Sequence, residues 1–219
     1  MPRLLFTKTG DAVWMSHLDL MRLFQRAFKR AGLPLTHTQG YNPRPSVSIA
    51  LPLSVGVESD CELLDYDLEG ENVSYKEIAA RLNEGLVEGV RVLRAYPNGM
   101  KIKNLAYLRS VVSLEYDNSV DASSVEMLRE LFSRETLVVE KKGKNGPTQQ
   151  DLIPMIRQLQ IHQPDANTIQ LQLLGCCQNP TLNPIQLVSA IECYLPQLRP
   201  DFAKCRREEI FDTEEKIFR

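Results

Sequence analysis

Two amphipathic helices with recognisable first turns divide the first hundred residues into alternating strands and helices. Ser16 followed by Asp19 is a capping-box-like start, and the apolar residues after it recur at helical spacing until Gly32 and Pro34 end the pattern. A second helix begins at the capping box Ser74-Tyr75-Lys76-Glu77. Strand-like segments flank the two helices at residues 4–6, 46–53, 61–68 and 90–95. The resulting order, βαββαβ, predicts a ferredoxin-like unit over residues 1–97.

The second half of the chain gives a similar but less regular pattern. Turn residues predict a linker over residues 98–108 and a second unit over residues 109–219. The predicted helices are 123–132 and 183–194, where Asn183-Pro184 reads as an N-cap followed by a proline at the first helical position. The predicted strands are 111–116, 136–140, 168–174 and 203–211, with a basic loop at 141–146. The segment 151–162 is ambiguous because Pro154 interrupts it. We therefore expect an α+β fold of two tandem ferredoxin-like βαββαβ units with antiparallel sheets.

Composition excludes several classes of protein. No apolar run approaches the roughly 20 residues that span a bilayer, and no signal-peptide pattern is found, so we expect a cytoplasmic protein with no membrane contact. The five cysteines are odd in number and form no CxxC pattern, which predicts reduced thiols, no metal site and no cofactor. They are Cys61, Cys176, Cys177, Cys193 and Cys205.

Positive charge is concentrated near the start of a chain whose net charge is only −2. Residues 1–50 carry seven Lys and Arg against two Asp, and an acidic stretch from Glu58 to Glu71 follows. Such segregation steers charged partners to one face of a protein. Five residues form the predicted nucleic-acid contact: Arg22, Arg26 and Lys29 on one helix face for phosphates, Arg44 on a proline-held loop, and Tyr41 beside it for stacking on a base. A solvated helix face and a purely structural turn are the alternatives.

His17 is the candidate catalytic residue. It lies in the first turn of its helix, where backbone N–H groups favour an anion and where an imidazole can hydrogen-bond or transfer a proton. With Gln39 and Asn42 it forms a predicted polar site. The alternatives are that His17 packs against Trp14 or caps locally, and that His17 and His37 converge on a metal with Asp19. No nucleophile with a partnering base is recognisable, so a non-catalytic protein is favoured over an enzyme.

Several runs carry a resemblance to a known family. The runs are Ser16-His17-Leu18-Asp19-Leu20-Met21-Arg22, Ala31-Gly32-Leu33-Pro34, Gln39-Gly40-Tyr41-Asn42-Pro43-Arg44-Pro45, Ala50-Leu51-Pro52-Leu53 and Gly56-Val57-Glu58-Ser59. They resemble the radical-SAM-linked family of bacterial proteins, which occurs free-standing or as a C-terminal domain fused to a radical SAM enzyme. The radical SAM cysteine triad is absent from this sequence. The resemblance therefore implies a partner of a radical SAM protein.

Three functions follow from these observations. The leading hypothesis is an accessory module that binds RNA or tRNA beside a radical SAM enzyme. The second is an RNA-processing or RNA-modifying enzyme that uses His17 as a general acid or base. The third is a protein-interaction scaffold that docks a partner through the acidic stretch.

Overall fold

A computed structural model describes residues 1–70, 73–143 and 146–219 of the chain. These residues form two compact units: residues 1–104 with 218–219 make the first, and residues 105–217 the second. Each unit combines α-helices with antiparallel strands, so the expectation of a mixed helix and sheet protein is confirmed.

The described part of the first unit has two α-helices and four strands. The helices are α1 (His17–Arg30) and α2 (Tyr75–Gly85); the strands are β1 (Arg3–Lys8), β2 (Val47–Ile49), β3 (Val57–Tyr66) and β4 (Val90–Tyr96). A 3₁₀ turn (Gly10–Trp14) links β1 to α1. β1 pairs with β3 and β4, and β2 pairs with β3, all antiparallel, so the strand order is β4–β1–β3–β2.

Local sequence signals account for both helix starts. The Ser16 hydroxyl accepts a hydrogen bond from the backbone N–H of Asp19 at 3.2 Å, and the Ser74 hydroxyl does the same for Glu77. α1 ends at Arg30, close to its predicted end, and Gly32 just beyond it has a φ of +66°, in the left-handed region that glycine adopts freely. The backbone N–H of Leu33 then closes the helix end on the carbonyl of Phe28.

The apolar stripe of α1 packs on the sheet of the first unit. The rings of Phe6 and Phe24 meet edge to face with centroids 4.7 Å apart, and Phe28 lies against Tyr66 at 5.2 Å. The fully buried members of this core include Leu4, Phe6, Phe24, Ala27, Phe28, Leu64, Tyr66 and Leu82. The face of α1 opposite this core is left to solvent.

Two strands of the first unit differ from their predicted lengths. The strand predicted over 46–53 is reduced to β2, because Ala50 still donates to the Leu63 carbonyl at 2.8 Å but Pro52 has no N–H to continue the pairing. β3 begins at Val57, four residues earlier than the predicted strand at 61–68, and ends at Tyr66.

The second unit contains α3 (Ser123–Phe132), α4 (Gln186–Tyr194) and six strands in its described part. The strands are β5 (Leu105–Glu115), β6 (Val138–Gly143), β7 (Gly146–Asp151), β8 (Ile156–Asp165), β9 (Thr168–Cys176) and β10 (Phe202–Asp212). Antiparallel pairing gives the order β10–β5–β9–β8, and β6 pairs only with β7 in a separate hairpin. The helix predicted over 123–132 is confirmed.

Several predictions for the second unit are wrong in detail. The strand predicted at 136–140 belongs to the β6–β7 hairpin and not to the larger sheet, where β8 takes its place after a 3₁₀ turn at Ile153–Met155. β5 begins at Leu105, so the last four residues of the predicted linker over 98–108 are strand. α4 begins at Gln186 and not after Asn183, whose side chain accepts from the Ile185 N–H in a preceding turn. Lys144 and Asn145 of the predicted basic loop lie outside the described residues.

Candidate functional site

Three basic side chains share the solvent face of α1. Arg22, Arg26 and Lys29 are exposed, and their spacing of four and three residues places them on adjacent turns. Arg22 forms an ion pair with Asp19 at 3.3 Å, with both side chains more than half exposed, so this pair is weak. In the described ranges, neither Arg26 nor Lys29 has an ion-pair partner. The helix therefore presents a positive stripe to solvent.

Asp19 has a structural role at the start of this helix. The hydrogen bond from the Ser16 hydroxyl, at 2.7 Å, and the charge of Arg22 hold the pKa of this carboxyl below its usual range. A carboxylate that stays ionised cannot serve as a general acid near neutral pH. The prediction that Asp19 acts in capping is consistent with these contacts.

A hairpin-like loop displays the other predicted contacts. The backbone N–H of Ser46 donates to the Thr36 carbonyl, and that of Thr38 donates to the Arg44 carbonyl, both at 2.8 Å. The Thr38 hydroxyl accepts a further bond from the Arg44 N–H at 3.0 Å. These bonds fix the base of the loop, and its tip of residues 39–43 extends into solvent.

The tip of this loop is built for exposure. Gly40 has a φ of +143°, in the region that side chains other than glycine avoid, so the turn requires a glycine there. Tyr41 is 100% exposed, and Gln39 and Asn42 beside it are exposed as well. A fully exposed tyrosine ring gains nothing for the fold, because it packs on no core.

The loop base lies against the C-terminal half of α1. A cavity of about 440 Å³ is lined by residues from both segments, including Gln25 and Lys29 of α1 and His37 and Pro45 of the loop base. We call this cavity the helix–loop cavity. Through it the structure brings Lys29 to the base of the loop that carries Tyr41 and Arg44.

His17 lies at the other end of the same helix. It is the first residue of α1, twelve residues before Lys29, which corresponds to about 18 Å along the helix axis. His17 is partly buried, and its Nδ1 atom has no hydrogen-bond partner among the described residues. Within those residues, no hydrogen bond joins His17 to Gln39 or Asn42, so the polar site of these three residues stays a prediction.

Other predicted ligand groups have separate surroundings. His37 approaches Glu69, with 3.9 Å between Nδ1 and Oε1, and no group of three or more His, Cys, Asp or Glu side chains in the described ranges is arranged to hold a metal. The acidic stretch is not one exposed surface: Glu62 is 1% exposed, and Asp65 is bound to Arg3. Glu71, its last member, lies outside the described residues.

Sequence reasoning missed both cavities of this region. The helix–loop cavity adjoins a second one of about 580 Å³, and both include Gly32, Leu33, Pro34 and Glu69 in their linings. Tyr66 and Tyr75 line the second cavity, and burial raises the pKa of the Tyr66 phenol. Their apolar neighbours look like ordinary core residues in the sequence, and no motif marks them.

Comparison with known proteins gives a family and a fold. A family profile described as "Uncharacterized protein conserved in bacteria (DUF2344)" matches residues 2–184. No curated protein matches the chain.

Within the described ranges, no helix is both long enough and apolar enough to cross a bilayer.

Two solved structures are similar to the chain to different degrees. A chain in the crystal structure of a Cbf5–Nop10–Gar1 complex matches 95% of this chain at 7% identity, with a TM-score of 0.53. This chain spans about half of that one, 48% of its length, and at this identity the likeness concerns the fold alone. The crystal structure of an unknown protein from Galdieria sulphuraria matches 94% of this chain and 96% of its own at 12% identity, but its TM-score is only 0.26.

Proposed function

The chain belongs to the bacterial family described as DUF2344, and from this premise we propose that it is an accessory RNA-binding module with tRNA as its expected RNA. The contacting surface consists of Arg22, Arg26 and Lys29 on α1 together with Tyr41 and Arg44 on the loop. We call these five residues the basic surface. The observation that carries the proposal is the helix–loop cavity, where Lys29 meets the base of the loop.

Physical chemistry supports each part of this surface. Exposed Arg and Lys side chains attract phosphates, and releasing the counterions of the nucleic acid supplies affinity that does not depend on sequence. A planar tyrosine ring in full exposure is a stacking platform for an unpaired base, worth roughly 1–3 kcal/mol per base. The chain has a net charge of only −2, which fits a local contact with RNA better than a surface around which a long RNA wraps.

We also propose that both units are ferredoxin-like. The first unit has the order β4–β1–β3–β2, and the second has β10–β5–β9–β8, which is the same order when its sheet strands are counted along the chain. The β6–β7 hairpin is then an insertion between the first helix of the second unit and its second sheet strand. This reading explains why the strand predicted at 136–140 is replaced by β8.

Partnership with a radical SAM enzyme is the further part of the proposal, and it rests on the sequence resemblance. Copurification of a radical SAM protein with the tagged chain from a native host tests it, with the tag alone as the control.

The alternative of an RNA-processing or RNA-modifying enzyme makes a different prediction. In that case His17→Ala removes turnover of an RNA substrate while leaving the protein folded and RNA bound.

The decisive experiment measures tRNA binding at several salt concentrations. We expect a salt-sensitive isotherm for the native chain and a large loss of affinity for the variant Arg26→Ala/Lys29→Ala/Arg44→Ala. Lys76→Ala is the matched control, because Lys76 is exposed on α2 and lies outside the basic surface. Binding that ignores salt, or a triple variant that binds as tightly as Lys76→Ala, would refute the proposal.

A further inference from the structure

The helix–loop cavity has the dimensions and walls of a small-molecule site. Its volume of about 440 Å³ lies within the range of roughly 300–1,000 Å³ that such sites occupy. Phe28, Leu33 and Leu35 close its apolar floor and are 0%, 1% and 7% exposed, while the exposed Pro34 and the partly exposed Pro45 supply apolar surface that a ligand can touch. This floor belongs to the hydrophobic core of the first unit, so the cavity lies directly above that core.

Hydrogen-bonding groups are placed at the rim of this cavity. Gln25 contributes an amide, His37 an imidazole and Glu69 a carboxylate, and the His37 and Glu69 side chains remain 52% and 59% exposed. Together they offer donors and acceptors of the kind that pair with the edge of a nucleobase. Lys29 lines the same cavity and adds a positive charge next to it.

We infer that this cavity receives one unstacked nucleobase of a single-stranded RNA, an inference that rests on the proposed RNA-binding function. The planar ring lies over the apolar floor against Pro34 and Pro45, its polar edge meets the rim, and its phosphate lies towards Lys29 and Arg26. Bases in a duplex are stacked and paired, so they cannot reach such a cavity. The basic surface alone would bind either form of RNA, whereas the cavity selects single strands.

The first test uses the base without its phosphates. The full isotopically labelled chain is titrated with adenosine, guanosine, cytidine and uridine, and amide chemical shifts are followed by NMR. We expect at least one nucleoside to shift the signals of Lys29, Leu35 and His37. The β8 strand of the second unit provides the internal control and should not respond. Absence of any shift with all four nucleosides overturns the inference.

The second test closes the cavity while keeping the charge of the basic surface. Gln25→Phe places a ring at the rim, and we expect it to lower the affinity for single-stranded RNA about fivefold or more, with duplex affinity unchanged. Ala80→Phe is the matched control, because Ala80 is exposed on α2. His37→Ala, in the exposed loop base, is a second variant that removes a rim group without adding bulk, and it should weaken the same interaction.

The outcomes separate this inference from the proposed function. Salt-sensitive RNA binding that Gln25→Phe and His37→Ala leave unchanged overturns the cavity inference and preserves the RNA-binding function. Nucleoside shifts without any RNA binding overturn the RNA part and identify free nucleosides as the occupant. Loss of single-strand preference in both variants, with Ala80→Phe unaffected, supports the inference as stated.

Discussion

A buried ion pair between β1 and β3 gives the most quantitative prediction for the fold. The Arg3 guanidinium donates to both carboxylate oxygens of Asp65, at 2.5 and 3.1 Å, and the two residues face each other directly across the strands. The Arg3 side chain is 2% exposed and that of Asp65 is 19% exposed. The guanidinium also lies over the ring of Phe218, 5.3 Å from its centroid.

Because Arg3 is more deeply buried than Asp65, substituting the two residues should cost different amounts of stability. Asp65→Ala leaves a buried guanidinium without its counter-charge, and such a loss costs about 3–5 kcal/mol. Arg3→Met leaves a carboxylate that water still reaches, so we expect a smaller loss, about 2 kcal/mol including the contact with Phe218. The double variant Arg3→Met/Asp65→Leu removes both charges together and should recover most of the stability.

Urea unfolding followed by circular dichroism measures all three variants. A domain of this size has a total stability of roughly 5–15 kcal/mol, so Asp65→Ala should shift the midpoint clearly at constant slope. With Asp65→Leu added as the matching single variant, a double-mutant cycle isolates the coupling between the two side chains. Our reasoning would be refuted if Asp65→Ala costs less than Arg3→Met, or if the double variant is the least stable of the three.

Three further predictions concern single positions and pH. Gly89→Ala should lower the free energy of unfolding, measured in urea, by about 3 kcal/mol or more, because the added methyl carbon would lie 2.3 Å from the backbone oxygen of Thr9. Gly10 is the control: it also has a positive φ but open space around it, so Gly10→Ala should cost only about 1 kcal/mol. The free energy of unfolding should fall as pH rises above about 9. Burial raises the thiol pKa of Cys177 to about 12 and that of Cys205 to about 11 in the folded chain. The unfolded chain therefore loses these two protons at lower pH than the folded chain does, which favours unfolding. Replacing both cysteines by Ala should flatten this dependence between pH 8 and 10, and an unchanged slope would contradict it. Tyr41→Ala should change stability by less than about 0.5 kcal/mol while weakening tRNA binding, since the ring is 100% exposed; a fall in melting temperature would show that it packs on the fold.

Signals that act within one turn of chain were predictable from the sequence. The caps at Ser16 and Ser74 and the end of α1 just before Gly32 each depend on neighbours a few residues away, so local side chains determine the outcome. The exposed positive face of α1 was predictable for the same reason. Periodicity alone placed its apolar residues on the opposite side.

Features that depend on distant partners were not predictable in the same way. Residues 136–140 have the composition of a strand, but composition does not say whether a strand joins a sheet or a separate hairpin. The helix–loop cavity is lined by residues as far apart in the chain as Gln25 and Glu69, and the apolar residues of its floor are core residues that no sequence motif marks. Charge counting was also incomplete, because it cannot separate cations that hold the fold from those that face a partner.

The structure separates the cations that hold the fold from those that face solvent, and the number that face solvent limits the salt dependence expected for RNA binding. Three of the seven cations in residues 1–50 have structural partners. Arg3 binds Asp65, and Arg30 donates to the Gly85 carbonyl. Lys8 is fully buried and donates to two backbone carbonyls, at 2.9 and 3.0 Å. The four that remain are those of the basic surface: Arg22, Arg26, Lys29 and Arg44. At about 0.7 per phosphate contact on a single strand, four contacts give a slope of log K against log salt of about −3. Asp19→Asn removes a negative charge 3.3 Å from the Arg22 guanidinium, so it should tighten the binding. A slope well beyond −4 would mean that a second surface of the chain, outside residues 1–50, also contacts the RNA.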